Sequence, residues 1–117
     1  MNTTIDNGII KISNEVIACI VKIAIEESNN IHTVSENILD KVLQIKEKAI
    51  KVTFNENETL EIDANVQVEF GINIPNAIKE LQKDIVENIE IVTGLDVSAV
   101  NIKVVNLIEK VLSDEEK

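Results

Sequence analysis

The chain contains no arginine, no tryptophan and no tyrosine. Without arginine it lacks the planar fork that grips carboxylates and phosphates through two parallel hydrogen bonds, and without tryptophan or tyrosine it lacks the usual platforms for stacking a base. All 11 cations are lysines, and they face 21 carboxylates, for a formal charge of −10 at pH 7. That sign opposes the counterion release that drives nucleic-acid binding. Glycine is scarce as well, with Gly8, Gly71 and Gly94 the only three. No two lie close enough for a phosphate-cradling loop, and a GxxG loop of the RNA-binding KH type is absent. One cysteine, Cys19, allows no internal disulfide and no CxxC pair, which is consistent with a reducing compartment. The longest uninterrupted apolar run near the start is Val16 to Val21, too short for a signal peptide core or a membrane span. We therefore expect a cytoplasmic protein without direct membrane insertion.

What the chain has in abundance is branched aliphatic side chains: 21 Ile, 14 Val and 7 Leu against Phe54 and Phe70 as the only aromatics. Its 117 residues suit one domain, with a core from about 8 to 107 and a charged C-terminal tail over 108–117. Gly8 opens a short strand, Ile9 to Ile12, and Ser13 then caps a helix over about 14–28 with Glu15 in its first turn. Glu15, Lys22 and Glu26 form a narrow polar stripe on that helix. The rest is more apolar than one sheet face can cover, which makes Val16, Ile20 and Ile23 a candidate association surface. Thr33 and Glu36 form a capping box before a second predicted helix over about 34–47.

Ile50, Val52 and Phe54 alternate with polar residues, and a polar turn, Asn55 to Glu58, follows. From Leu60 to Phe70 the alternation is unbroken: Leu60, Ile62, Ala64, Val66, Val68 and Phe70 form one face, and Glu61, Asp63, Asn65, Gln67 and Glu69 the other. Pro75 and Gly94 bracket a third helix with Ile78, Leu81, Ile85, Ile89 and Val92 along one side. Val100, Ile102 and Val104 mark a last strand. The order β-α-α-β-β-α-β predicts an α+β two-layer sandwich, its helices packed on one face of a small mixed or antiparallel sheet.

Chemically active groups are few. His32, the only imidazole, is expected in a loop as a surface or structural residue. Cys19 falls beside the polar stripe of the first helix, has no basic cluster near it to activate a thiolate, and is expected to be a packing residue. The pairs Glu26–Glu27 and Glu115–Glu116, and the row Glu61, Asp63 and Glu69, read as solvated acid rather than a cation site, because the glycine and terminal glutamate of a calcium loop are missing. The expectation is a protein with no catalytic residues, no cofactor and no metal.

Four segments in order carry a family resemblance: GIIKISNEVIACIVKIA from Gly8, VEFGINIP from Val68, TGLDV from Thr93 and VNIKV from Val100. Together they resemble the alkaline shock protein family of Gram-positive envelope stress proteins, over about 8–105. The motif positions that carry the likeness are Gly8, Ser13, Glu15, Val16, Gly71, Pro75, Thr93, Gly94, Leu95, Val100 and Asn101. The sequence departs from the family at Asn30 and Ala49, where glycines are frequent, and at Phe70, where tyrosine is common. The resemblance implies a non-enzymatic cytoplasmic protein of cell-envelope homeostasis. In some members a small membrane-anchored protein recruits it to the inner face of the membrane. From the residues themselves, association is expected through the over-apolar first helix, which could meet a second copy in a homo-oligomer, or through an exposed strand edge. The alternative is a regulatory binding module for a metabolic enzyme, such as one of lipid synthesis.

Overall fold

A computed structural model describes residues 2–5, 8–35 and 48–110. Strands β1 (Asn2–Ile5) and β2 (Gly8–Lys11) form an antiparallel hairpin, of which only the second strand was expected. Helix α1 (Asn14–Glu27) begins where predicted: the Ser13 hydroxyl accepts from the Val16 amide at 3.3 Å. Strand β3 (Ile31–Thr33) follows. After it come β4 (Ile50–Phe54), β5 (Leu60–Glu69), α2 (Ile74–Thr93) and β6 (Val97–Ile108). The second helix expected over 34–47 lies mostly outside the described residues. Of its proposed cap, Thr33 ends β3, Val34 and Ser35 are not helical, and Glu36 lies outside the described residues.

β5 is the organising strand. On one side β3 and β4 pair with it end to end, both antiparallel: Ile31 opposite Val68, and Phe54 opposite Leu60. On the other side β6 runs parallel to it along its whole length. The sheet is mixed, as the α+β reading allowed. A parallel neighbour requires a crossover, and α2 supplies it.

α2 starts and stops for local reasons. The Asn73 side chain accepts from the Asn76 amide, Pro75 occupies the first turn, and the chain leaves through Gly94 in the left-handed region at φ 73°. Helices α1 and α2 pack on each other, α1 also against β3 and β4, and α2 against β6. The core is the aliphatic set sequence periodicity selects: Ile17, Val21 and Ile25 from α1, Leu60, Ile62, Val66 and Val68 from β5, and Leu81, Ile85 and Ile89 from α2. At roughly 1.5–3 kcal/mol per fully buried large aliphatic side chain, this set dominates the folding energy.

Two predicted core positions are not in it. Phe70, one residue past the end of β5, is 76% exposed, and Val92, in the last turn of α2, is 66% exposed. Both continue a periodic pattern beyond the layer that could cover them.

Candidate functional site

The polar face of the sheet differs most from the sequence reading. Lys51 and Thr53 of β4 stand opposite Asp63 and Glu61 of β5, and His32 of β3 stands opposite Gln67, so all these positions share the face away from the helices. His32 therefore sits on a strand, not in a loop. Its Nε2 lies 2.6 Å from Glu69 Oε2, with the histidine side chain about a third exposed and the glutamate side chain 4% exposed. The acidic row is only partly solvated: Asn65 and Glu69 are buried, Glu61, Asp63 and Gln67 half-buried.

Four members of the row, Asp63, Asn65, Gln67 and Glu69, are held by hydrogen bonds. Asn65 Nδ2 donates to the Lys48 carbonyl at 3.1 Å, and Gln67 Nε2 donates to the Thr33 carbonyl at 2.9 Å. Asn101 Nδ2 donates to Asp63 Oδ1, and Asn106 Nδ2 to Gln67 Oε1. Among the described residues no buried side-chain nitrogen or oxygen lacks a partner. Such a face is organised for structure, since each polar group that gave up water found a protein partner. Among the described residues no three His, Cys, Asp or Glu side chains converge as a metal site. An open groove of about 670 Å³ lies at the β4 edge, between Asn14, Glu15 and Ala18 of α1 and Ile50, Lys51 and Val52 of β4.

The motif residues have mostly architectural positions. Gly8 begins β2, Ser13 caps α1, and Glu15 lies in its first turn. Gly71 adopts φ 100° just after β5. Thr93 Oγ1 donates to the Ile89 carbonyl and accepts from the Leu95 amide, which locks the exit from α2 next to Gly94. Val100 is buried and Asn101 bonds Asp63.

The helix layer is where apolar surface is left uncovered. On α1, Ile17, Val21, Ala24 and Ile25 are buried, while Val16 and Ile23 are 49% and 48% exposed and Ile20 is half-buried. Asn14 and Ala18 line the groove beside β4, so at 100° per residue Val16, Ile20 and Ile23 form the opposite shoulder, on the side of α2. The topology makes α1 and α2 antiparallel, which brings the exposed Ile91 and Val92 at the end of α2 to the same end of the helix layer as Val16. Cys19, expected to be a packing residue, is exposed instead. It lies near 200° from Ile17 on the helical wheel, well away from the buried arc.

Comparison with known proteins places this architecture. The alkaline shock protein 23 family, described as having a cell envelope-related function, matches residues 2–109. The chain belongs to the alkaline shock protein family. No curated protein and no solved structure matches it significantly. Membership carries the coarse function, one related to the cell envelope. No helix among the described residues is long and apolar enough to cross a membrane.

Proposed function

We propose that this protein serves the cell envelope by protein–protein association and not by catalysis. It acts as a scaffold or adaptor on the cytoplasmic side, brought to the membrane by a protein partner. The supporting observation is the shoulder of α1, where Val16 and Ile23 stand half-exposed on either side of Ile20 while Ile17, Val21, Ala24 and Ile25 are buried. Ile91 and Val92 extend the uncovered aliphatic surface across the same layer. Exposed apolar surface of this kind suits contact with a partner.

The test is Val16→Glu combined with Ile23→Glu, both at exposed positions that leave the core intact. Circular dichroism and the thermal midpoint should stay close to wild type, while crosslinked pull-down from cells loses the envelope component captured by the wild-type chain. A wild-type chain that is monomeric and captures no partner overturns the proposal. So does a variant that keeps every partner at full yield. Recovery of a metabolic enzyme in place of an envelope component would replace the envelope adaptor with a regulatory module.

A further inference from the structure

β6 has β5 on one side and no described strand on the other. It is 12 residues long, Val97 to Ile108, and carries a single charged side chain, Lys103, and no proline. With 27% of the chain charged, about three charges would be expected in that length. Edge strands of monomeric proteins are ordinarily short or blunted by charge or proline, because an open edge is a template for another strand. This edge is long and nearly uncharged.

Its backbone is also oriented for pairing. The Val100 carbonyl is turned away from β5, where Gln82 Nε2 donates to it at 2.8 Å. The two-residue alternation of a strand gives Ile102 and Val104 the same outward-facing amides and carbonyls. Three consecutive outward residues can form an antiparallel ladder with the same three residues of an identical strand.

The geometry points to β6 pairing with β6 of a second copy, antiparallel about a two-fold axis at Ile102. Val100 then faces the partner's Val104, and Asn101 faces the partner's Lys103. Hydrogen bonding alone would accept many strands, and charge selects the second copy. Lys103 on the polar face falls opposite the partner's Asn101, which is register-paired with the partner's Asp63 and bonded to it at 3.1 Å in this chain. Two strand spacings, about 10 Å at the backbone, separate the lysine from that aspartate, a gap the two side chains can bridge. The two-fold axis repeats the contact, so the one cation of each edge meets the acidic row of the other copy. The Gln82 amide is displaced from the Val100 carbonyl, and the amide of the partner's Val104 takes its place. The result is one sheet continuous across both copies, with all four described helices on one face. This surface is distinct from the α1 shoulder, and it rests on the association reading only in naming self-pairing as one form of it.

The test uses two single-cysteine chains, Asn101→Cys and Lys103→Cys, each combined with Cys19→Ala. These positions face each other only between copies, at the close non-hydrogen-bonded spacing that suits a disulfide. Mild oxidation of an equimolar mixture should give the mixed dimer at several times the yield of either homodimer, and light scattering of the wild-type chain should give twice the monomer mass. Lys103→Glu should weaken the dimer about threefold to tenfold, and adding Asp63→Lys to it should restore affinity. A monomer at every concentration overturns edge pairing while leaving partner capture by the α1 shoulder to be judged on its own. A dimer whose mixed disulfide forms no faster than the homodimers also overturns it and moves self-association to another surface.

Discussion

Removing the His32 imidazole should destabilise the fold although His32 is itself a third exposed. Glu69 is the reason: its side chain is 4% exposed, and the contact of its Oε2 with His32 Nε2 is 2.6 Å long. In His32→Ala the Glu69 carboxyl group loses that partner. An orphaned buried polar group costs about 1–3 kcal/mol, more when charged. Breaking a fully buried ion pair costs about 3–5 kcal/mol, and the partial exposure of His32, which lets water replace part of what is lost, holds the expected value near 1–3 kcal/mol. For a domain of 117 residues each kcal/mol moves the thermal midpoint by roughly 4 °C. Urea unfolding of wild type, His32→Ala, Glu69→Gln and the double variant forms a cycle that isolates the coupling between the two side chains. His32→Gln, which retains a donor, should recover part of the loss. The reasoning fails if His32→Ala unfolds within about 0.3 kcal/mol of wild type, the scatter expected for uncoupled sites.

Ile85→Ala removes a fully buried α2 side chain and should cost about 2–5 kcal/mol in chemical denaturation, whereas Ile91→Ala, further along the same helix and 80% exposed, should change stability by less than about 0.5 kcal/mol. Gly94→Ala places a Cβ at φ 73° and should cost about 1 kcal/mol, with a lowered thermal midpoint and unchanged helix content as the readout. Ser13→Ala removes the cap of α1 and should cost about 0.5–2 kcal/mol, while Ser13→Asp should hold stability near wild type.

How far the fold could be read in advance depended on whether the deciding interaction was local. The alternation through β5 and the Pro75 to Gly94 bracket are written in near neighbours, and both appear in the structure where the pattern puts them. β3 is three residues long, too short for any period to register, and it exists because Ile31, His32 and Thr33 meet partners more than thirty residues away. The burial of Glu69 was hidden for the same reason. An acidic residue in an alternating strand looks solvated until a histidine 37 positions earlier is brought beside it. Phe70 and Val92 fail in the opposite sense, since periodicity continues to the last residue of an element while the covering layer stops sooner. Of the candidate association surface, the excess of aliphatic side chains on α1 could be seen in the sequence. Which of them remain uncovered required the position of α2.

The crossover has a mechanical corollary. Twenty helical residues rise about 30 Å and ten extended residues span about 33 Å, so α2 returns the chain almost exactly the distance β5 advanced it. Strut and strand are matched in length, and connections of four and three residues join them to the neighbouring elements. Inserting one residue in the middle of α2 would rotate everything downstream by about 100° and swing Ile89 out of the interior. The same insertion at the Asn55–Glu58 turn would merely lengthen a solvent-facing bend. Tolerance to indels should therefore be sharply uneven along this chain.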